Sequence, residues 1–551
     1  MSAARPGGRP RLPAGSPREG PDRHYLDVAA LRIQTWLGRT KGLKLRRGAS
    51  VMLTEMTSRE HWSTRLPAGT CWNDEAGDKP GVVTLRVESG VPRDRADGIV
   101  GSAARAVVEE LRTVLQHLPV QAVTGTGPTY LQAYPGMQRS RREGTVLLDC
   151  PAAPFELFVA RPCAACHQAP AEVTVRTERD RAGHPEVEQW CRECVGRRDS
   201  AGLTTGSGDR APATERRLLR ALTDRPGGGR FEGFTDVFPE LAAEGRDRAD
   251  DAASQLALVY ADGNRVGAFL AGLAQGAGNE RVFRPDVVRA LDETTVEALA
   301  DAVAATMAGG GPIPVLPHVA GGDDLVLSVP ARYAWPFVLE LVDAFSRRME
   351  QRCREWGLPG GTAPTLSAGL VFHHHKHPFF DADALADRHL QAAKAHGGTR
   401  PAVSFVDVTS DGTESRIPHE HLVEDLRGRA ALLSELAAVP QSHRATLTAL
   451  CRRALAQEAL PGRPSAAGPA APARAPSKGP AAETPRQALA RRIVDLGYRA
   501  VKEVVVPAGD NAAIREALLE RGNRSPEHDP VRRLRGELDL ARWWPAAGGA
   551  A

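Results

Sequence analysis

A four-residue segment, Gly321-Gly322-Asp323-Asp324, constrains the fold of this chain more than any other feature. It separates two short apolar stretches, residues 313–320 and 325–329, which are predicted to be the strands of a β-hairpin. The tip of this hairpin would carry two adjacent carboxylates. An acidic tip alone has an ordinary explanation, because Asp and Gly are the commonest turn residues. Its meaning therefore depends on what the rest of the fold brings beside it.

The surrounding pattern predicts a ferredoxin-like α+β unit, in which the hairpin provides the two middle strands of a βαββαβ order. The apolar run 256–260 is predicted to be the first strand. The other elements are helices at 265–273, 285–307, 333–355 and 381–396, and strands at 364–372 and 402–406.

This topology predicts a carboxylate cluster at one edge of the sheet. The first and third strands of a βαββαβ sheet are antiparallel neighbours, so the end of one meets the start of the other. Those places hold Asp262 and Asp323-Asp324. Such a cluster suits Mg²⁺ or Mn²⁺, which need few protein carboxylates when substrate phosphates complete the coordination. Two such ions can activate a phosphoryl displacement.

Glycines around these carboxylates predict room for a nucleotide. Gly321-Gly322 gives a tight turn without side chains, and Gly263-Asn264 precedes a helix whose first N–H groups are free to bind phosphate. The nucleotide-binding candidates in this part are Gly263, Asn264, Gly267, Gly321 and Gly322.

A first α+β domain is predicted before residue 160. Residues 25–53 indicate a short strand and a helix that buries one side; a strand at 81–86 and a helix at 101–117 follow. The glycine-containing stretch 119–132 predicts a hairpin. The buried side of the first helix is expected to hold Leu31, Ile33, Trp36 and Leu37.

Two cysteine pairs, Cys163/Cys166 and Cys191/Cys194, have a spacing close to that of a zinc ribbon. Four thiolates on two knuckles form the closed tetrahedral site of a structural Zn²⁺. The segment 163–167 also matches a c-type haem attachment motif, but haem would leave the second pair unexplained. We predict a structural zinc site between the two α+β units.

Composition limits the remaining classes of function. The chain has 71 basic and 67 acidic residues, a net charge of +4, which is unlike a polybasic nucleic-acid binder. Its apolar runs are shorter than the roughly 18–20 residues of a membrane helix, and its first residues lack a secretory signal. We therefore expect a cytoplasmic protein.

Composition shifts predict the domain boundaries. Residues 1–22 and 460–486 are low-complexity stretches rich in Pro and expected to lack structure. The remaining predicted parts are a first palm-like domain (23–160), a zinc-binding module (161–200), a connector (201–250), a second palm (251–415), a helical domain (416–459) and a C-terminal helical segment (487–551).

The segments 256–270 (LALVYADGNRVGAFL) and 318–329 (HVAGGDDLVLSV) resemble the GGDD palm of the large subunit of type III CRISPR effector complexes, a family related to GGDEF cyclases. Residues 366–378 and 389–398 are similar to the strand and the helix that follow in that family, and residues 32–53 to the start of its first palm. The likeness spans about residues 24–450.

The resemblance implies synthesis of cyclic oligoadenylate from ATP, activated when guide RNA in the complex pairs with target RNA. It implies that Asp262, Asp323 and Asp324 hold the metal ions and that Lys394 meets the triphosphate. Ser367 could touch a base or ribose, although a small residue packed in a strand explains it as well. Other type III CRISPR subunits are the implied partners.

This sequence departs from the family in two respects. The HD nuclease domain of many members has no counterpart at the start of the chain, and His528-Asp529 is an isolated dipeptide, so we expect no DNase activity. The first palm has Val123-Thr124-Gly125-Thr126-Gly127 where a catalytic pair would be expected, which predicts a structural role or help in binding a second ATP.

Two further patterns are interpreted as ordinary surface. The histidines at 373–375 and 377 are expected in a loop near nucleotide or a partner, where they are solvated or make hydrogen bonds and are not metal ligands, and Arg46-Arg47 on a solvated helix face. A scaffold subunit without chemistry and a stand-alone signalling cyclase remain alternative functions.

Overall fold

The computed structural model forms two compact units, of which the larger contains both sheets discussed below. It describes residues 22–40, 43–76, 80–144, 146–151, 161–179, 185–202, 213–225, 231–234, 241–242, 254–275, 287–306, 311–409, 419–458 and 530–546. Residues 1–21 of the predicted unstructured stretch 1–22, the whole of the stretch 460–486, and His528-Asp529 lie outside the described residues.

The first sheet has five strands in the order β2-β3-β1-β4-β5. Its strands are β1 (Arg23–Ala30), β2 (Thr70–Trp72), β3 (Val82–Val87), β4 (Val120–Gly127) and β5 (Leu147–Asp149). The helices of this part are α1 (Ile33–Gly38), α2 (Leu43–Thr57), α3 (Arg59–Trp62), α4 (Arg93–Val114) and α5 (Tyr130–Glu143). Alternate residues of β1, such as Leu26 and Val28, are buried in one core with Trp36 and Leu37, as the sequence predicts.

The hairpin predicted at 119–132 is wrong: this stretch is the single strand β4 followed by the start of α5. Its glycines serve close packing instead of a turn. A Cβ atom on Gly125 would lie 2.4 Å from Met137 Cγ, and one on Gly127 would lie 2.9 Å from the backbone nitrogen of Ala133. Both contacts are with α5, so the glycines let that helix lie directly on the strand.

The second sheet has six strands in the order β11-β12-β9-β13-β14-β15, and its first four places repeat the order of the first sheet. The strands are β9 (Gln255–Asn264), β11 (Leu316–Gly321), β12 (Asp324–Pro330), β13 (Thr365–His374), β14 (Ala402–Asp407) and β15 (Glu420–Leu422). Both sheets therefore have the ferredoxin-like arrangement, and the fold class is α+β with two palm-like domains.

The shared strand order corrects one expectation about the first palm. The hairpin that corresponds to β11–β12 is β2–β3, so the counterpart of the acidic turn lies between Trp72 and Val82 and not at 123–127. This turn contains Asp74 and Glu75. Glu75 accepts hydrogen bonds from the backbone nitrogen of Tyr130 at 2.7 Å and from the Arg23 guanidinium at 3.2 Å. It therefore ties the turn to α5 and β1.

The cysteine-containing segment and a connecting helix follow the first sheet in the sequence and precede the second. Their elements are β6 (Val173–Arg179), β7 (Pro185–Trp190), α6 (Arg192–Gly202), α7 (Ala213–Thr223), β8 (Phe231–Phe234) and, after the next helices, β10 (Gly311–Ile313). β6 and β7 form a hairpin, and β8 pairs with β10.

The helices of the second palm match the predicted pattern closely. They are α8 (Val266–Gln275), α9 (Val287–Thr306), α10 (Ala334–Glu355) and α11 (Phe379–Gly397). The smaller unit includes α12 (Val423–Gly428), α13 (Ala430–Ala438), α14 (Gln441–Glu458) and α15 (Pro530–Ala541). Within it Trp543 and Trp544, after α15, are buried. Among the described residues, no helix has a stretch long and apolar enough to span a bilayer.

Arg46 and Arg47 are buried, so the prediction of a solvated face is wrong. Arg47 makes a bidentate pair with Glu215 of α7 at 2.9 and 2.6 Å. The Arg46 guanidinium carbon lies 3.6 Å above the ring of Phe379 at the start of α11. Burial lowers the pKa of Arg46 to about 9. These two arginines thus join the first palm to α7 and to the second palm, and pairing and ring contact offset their desolvation.

Acidification is expected to destabilise the fold through His318, which is buried in β11. Burial, and then the charges of Arg46 and His373, lower the pKa of His318 to about 3. The unfolded chain binds a proton near pH 6.5 and the folded chain does not, so stability falls as pH drops below 6.5. Between pH 7 and pH 5 this residue accounts for about 2 kcal/mol.

The His318 Nε2 atom lies 2.8 Å from the Ser328 hydroxyl oxygen. The measurement compares the thermal midpoint at pH 7 and pH 5 for the wild type and for His318→Gln, whose amide can still bond that hydroxyl. We expect a smaller loss in the variant. His443→Gln, at an exposed position, is the control and should behave as wild type. Equal losses in all three proteins would contradict the prediction.

Candidate functional site

The strand register brings Asp262 beside Asp324. In the antiparallel pair β9–β12, Ala261 lies opposite Leu325. Asp262, which follows Ala261, therefore faces Asp324, which precedes Leu325. On its other side Asp262 lies opposite Ser367 of β13. The Asp262 carboxyl group lies within hydrogen-bonding reach of Asp324, and such a bond requires a proton on one of the two groups. The sequence places these residues 62 positions apart, and the sheet makes them neighbours.

The environment favours the protonated form of Asp324 in the absence of a cation. Desolvation by the surrounding protein, followed by the charges of Asp262 and Asp323, raises the pKa of Asp324 to about 8. Solvent reaches this side chain and screens part of the repulsion. The direction is what matters: the free cluster retains a proton that a bound cation would displace.

Lys394 completes the cluster from α11. Its ammonium group forms an ion pair with the Asp262 carboxylate and donates to the carbonyl oxygen of Gly263 at 3.1 Å. The side chain is 24% exposed, so it is held in the site and also accessible to a ligand. The Lys394 ammonium group therefore neutralises the charge of the Asp262 carboxylate.

Gly263 is required by packing. A Cβ atom built on it would lie 2.7 Å from the Asp323 Oδ2 atom and 2.4 Å from the Val266 Cγ2 atom. The carboxylate of Asp323 therefore rests against the bare backbone of β9. Gly321, Gly322 and Gly267 have open space where a side chain would be. These positions leave the approach to the carboxylates uncovered.

Asn264 and Ser367, also predicted to bind nucleotide, are buried in a hydrogen-bond network. The Asn264 amide donates to the hydroxyls of Thr365 at 2.8 Å and Ser367 at 2.9 Å. The Ser367 hydroxyl also accepts from the backbone nitrogen of Ala402. This geometry favours the structural explanation of Ser367, because the two residues tie β9, β13 and β14 together below the carboxylates.

Replacing Gly263 with alanine is expected to displace Asp323 and to weaken the binding of Mn²⁺ by about 10- to 100-fold, the usual effect of disturbing a ligand-orienting contact. The new methyl group cannot share space with the Asp323 carboxylate. The measurement is a titration of the protein with Mn²⁺, in which free Mn²⁺ is detected by electron paramagnetic resonance.

Gly272→Ala provides the control for this substitution. Gly272 lies in α8 with open space around its Cα atom, and alanine there favours the helix. It should leave the affinity for Mn²⁺ unchanged. An Mn²⁺ affinity of Gly263→Ala within twofold of that of the control would contradict the packing argument.

Sequence reasoning missed two residues beside the cluster. Arg265, between β9 and α8, is exposed and has φ +60°, a left-handed conformation that costs a non-glycine residue about 1 kcal/mol. Tyr134, from α5 of the first palm, is close enough for the charge of Asp323 to contribute to raising its pKa, after the larger effect of burial. No sequence signal marks Tyr134, because its proximity arises from the packing of two domains.

Tyr134 lines a cavity of about 420 Å³ between α5 and α8. The first palm supplies the charged side chains of Arg139, Arg142 and Glu143, and the second palm supplies Gly267 and Ala271. A cavity of this size has room for a small polar molecule.

The four cysteines fit a zinc ion. Their Sγ atoms all lie within 4.8 Å of one another, and all four residues are buried. The Cys166 and Cys191 Sγ atoms are 4.0 Å apart, close to the ~3.8 Å separation of sulfurs in tetrahedral zinc–thiolate coordination. Hydrogen bonds within the group lower the pKa of Cys163 and raise that of Cys194. The arrangement can hold a structural metal.

Among the described residues, these cysteines form the one tightly closed group of possible metal ligands. Asp262, Asp323 and Asp324 form a more open set, which suits a cation that keeps water and phosphate oxygens as ligands. Carboxylate oxygens are the donor type that Mg²⁺ and Mn²⁺ prefer, so the residues present fit such an ion.

The predicted histidine loop is only partly a loop. His373 and His374 belong to β13, and His373 is buried, with a pKa that burial lowers to about 4. The predicted loop is therefore wrong for His373 and His374, whereas the hydrogen bond of 3.0 Å from the His373 ring to the carbonyl oxygen of His374 agrees with the alternative that these histidines make hydrogen bonds. His375 bonds the carbonyl oxygen of Ser254 through its ring and backbone nitrogens.

Comparison with known proteins gives a family match for the second palm. The family model described as Cas10/Cmr2, second palm domain, matches residues 255–403. Bifunctional protein GlmU of Thermobifida fusca (strain YX) is 29% identical over 216 residues, a match that covers 36% of this chain and 42% of that protein. The chain thus spans less than half the length of that curated relative.

Two solved structures are similar over most of this chain. Csm1 in T. onnurineus is 14% identical with a TM-score of 0.49, covering 95% of this chain and 70% of that one. A Csm1–Csm4 cassette in complex with pppApA is 14% identical with a TM-score of 0.48, covering 95% of this chain and 69% of that one. At such identity a structural likeness assigns no activity.

The family match covers every strand and helix that surrounds the carboxylates, from β9 to the start of β14. It confirms, for this part of the chain, the family indicated by the sequence. Residues 255–403 of this chain are thus similar to the second palm domain of the Cas10/Cmr2 family.

Proposed function

We propose that this protein is a nucleotidyltransferase that makes cyclic oligoadenylate from ATP in RNA-guided type III CRISPR antiviral defence. The observation that carries the proposal is the meeting of Asp262 with Asp324 at one sheet edge, with the Lys394 ammonium group on Asp262. The match of residues 255–403 to the Cas10/Cmr2 second palm supports the same family of chemistry.

The proposed reaction is a phosphoryl displacement without a covalent enzyme intermediate. The 3′-hydroxyl oxygen of one nucleotide forms a bond to the α-phosphorus of a second ATP. The bond from that phosphorus to pyrophosphate breaks, and the hydroxyl proton passes to solvent. A divalent ion held by Asp262, Asp323 and Asp324, when bound, would stabilise charge on the phosphoryl oxygens. The protein's contribution is therefore positioning and electrostatics.

Cationic and N–H groups beside the carboxylates support the binding of a triphosphate. Lys394 is half-buried beside Gly263, and Arg265 is exposed at the start of α8. The first N–H groups of α8 lack partners within the helix, and the helix dipole favours an anion there. These groups would hold the phosphates, while the carboxylates hold the metal ions.

The cavity between α5 and α8 supports a role for the first palm in nucleotide binding. Tyr134 presents an aromatic ring near Asp323, and Arg139 and Arg142 bring positive charge. A nucleotide in this cavity would contact both palms, in agreement with the expectation that the first palm helps bind a second ATP. Guide RNA, target RNA and other subunits of the complex are the proposed partners.

Product analysis tests the proposal. The purified protein is incubated with ATP and Mg²⁺ or Mn²⁺, alone and in a reconstituted complex with guide and target RNA, and the products are identified by chromatography and mass spectrometry. A cyclic or oligomeric adenylate should form, and Asp323→Ala/Asp324→Ala should form none. Product from the free protein would favour a stand-alone cyclase. No product in the RNA-bound complex would overturn the enzyme and favour a scaffold.

A further inference from the structure

The acidic turn is held from behind by helix α9. The N–H group of Gly322 donates to the Oδ1 atom of Asp292 at 2.8 Å. The carbonyl oxygen of Gly322 accepts from the Oγ1 atom of Thr295 at 2.6 Å. Asp292 and Thr295 are three residues apart and therefore share one face of α9. Two side chains of one helix thus bind both polar groups of a single turn residue.

A third side chain, that of Arg217, holds the Asp292 carboxylate in position. Arg217 of α7 makes a bidentate contact with the Asp292 carboxylate, with distances of 2.6 and 3.3 Å. The same guanidinium reaches the carbonyl oxygen of Ala320 at 3.5 Å, just before the turn. Asp292 and Thr295 are buried. We call Arg217, Asp292 and Thr295 the turn anchor.

The turn needs such support because it is conformationally permissive. Gly322 has φ +66° at the first position of the two-residue turn between Gly321 and Asp324, as a type II′ turn requires. Neither glycine has a side chain to pack, and a Cβ atom on either would meet open space. Glycine loses more conformational freedom on ordering than any other residue. Hydrogen bonds to the turn backbone supply the order that side-chain packing cannot.

We propose that the turn anchor positions Asp323 and Asp324 for binding of the divalent ion. The residue that it grips immediately precedes both carboxylates, so a change in the Gly322 peptide reorients them. None of the three anchor residues need touch nucleotide or metal; they are positioning residues. This inference rests on the proposed function, because it takes the carboxylates to be metal ligands.

The anchor also connects the turn to the first palm. Glu215, two residues before Arg217 on α7, forms the bidentate pair with Arg47 of α2. One short helix therefore contacts the first palm through Glu215 and the turn anchor through Arg217. The orientation of the carboxylates depends in this way on helices outside the sheet that carries them.

Two adjacent threonines make a matched test. Thr295→Val keeps the shape of the side chain and removes the hydroxyl, which lies 2.6 Å from the carbonyl oxygen of Gly322 and 3.1 Å from that of Leu291 in its own helix. Thr294→Val is the control: Thr294 is equally buried, and its hydroxyl donates within α9, to the carbonyl oxygen of Ala290 at 2.7 Å. A purely structural role predicts similar effects of both substitutions, whereas the turn anchor predicts a difference in metal binding.

The measurement is the affinity for Mn²⁺. Binding is monitored by electron paramagnetic resonance in the presence of a non-hydrolysable ATP analogue. Thermal midpoints are measured for all proteins. We expect Thr295→Val to weaken Mn²⁺ binding by about tenfold, the lower end of the effect of outer-shell partners. Thr294→Val should bind Mn²⁺ as wild type does. Asp292→Asn, which keeps an acceptor for Gly322 but weakens the Arg217 pair, should have an intermediate affinity.

Equal Mn²⁺ affinities of Thr295→Val and Thr294→Val would overturn the turn anchor and leave the proposed function standing. A wild-type protein that binds Mn²⁺ no better than Asp323→Ala/Asp324→Ala does would overturn both. Turnover provides a second readout: the anchor predicts a lower kcat and a higher Mn²⁺ requirement, with the KM for ATP nearly unchanged.

Discussion

Asp324→Asn is expected to lower nucleotidyl transfer by roughly 10³-fold, which corresponds to the several kcal/mol that metal-ion catalysis supplies. The amide retains the shape of the carboxylate but carries no charge, so a divalent cation loses one of its ligands. Turnover of ATP into adenylate products, measured with the same RNA-bound complex as the wild type, checks this result.

The same substitution should not reduce stability. Desolvation, and then the charges of Asp262 and Asp323, raise the pKa of Asp324, so a neutral side chain at this position removes a desolvated charge and relieves repulsion in the metal-free protein. The thermal midpoint without metal should therefore equal or exceed that of the wild type. Such a cost of the carboxylate cluster to stability is typical of functional sites.

Asp387→Asn is the matched control. Asp387 is exposed on α11, and its substitution removes the same charge from the same domain without touching the cluster. It should retain full turnover. Activity of Asp324→Asn within tenfold of this control would show that Asp324 is not a metal ligand in the reaction.

Cys191→Ser is expected to remove one zinc ion per chain and to lower the thermal midpoint by about 10 °C or more. Structural zinc contributes about 10–16 kcal/mol to the folding of small zinc-binding peptides, so even a part of that is large for a domain. Metal content by elemental analysis and the thermal midpoint are the two measurements.

The effect should extend into the first palm, because α6 begins directly after Cys191. A Cβ atom on Gly48 of α2 would lie 1.8 Å from the Arg197 carbonyl oxygen, so the two helices touch through their backbones. The fully buried Arg197 donates to the carbonyl oxygen of Trp36 at 2.9 Å. If the four-cysteine segment unfolded, this surface of α2 would be exposed to solvent.

Cys150→Ser is the control, since Cys150 is exposed and lies outside the four-cysteine group. It should retain zinc and the wild-type midpoint. Wild-type protein without zinc, or equal midpoints for Cys191→Ser and Cys150→Ser, would refute a structural zinc site.

The elements of the second palm could be predicted from sequence because its local patterns are strong. The strand predicted from residues 256–260 is β9, and the long helix predicted at 333–355 is α10, within a few residues. Apolar runs of strand length and amphipathic helices of more than four turns depend little on their surroundings. The meeting of Asp262 with Asp324 followed from strand order alone.

The hairpin predicted at 119–132 failed for the opposite reason. Glycine indicates a turn when only the sequence is considered, but it also permits close approach of two backbones. Gly125 and Gly127 serve the second purpose because α5 lies on β4. Which purpose applies depends on a helix that begins after the strand.

By itself, the sequence determined the chemistry available to this protein: three carboxylates at strand ends, two cysteine pairs and glycine turns, all fixed by local pattern and known strand order. Only the tertiary structure decided the partners of those groups. It placed the Lys394 ammonium group on Asp262, buried Arg46 and Arg47 between domains, and set Thr295 and Asp292 against Gly322. Contacts between distant segments depend on how helices pack against sheets, and local periodicity carries no information about that packing.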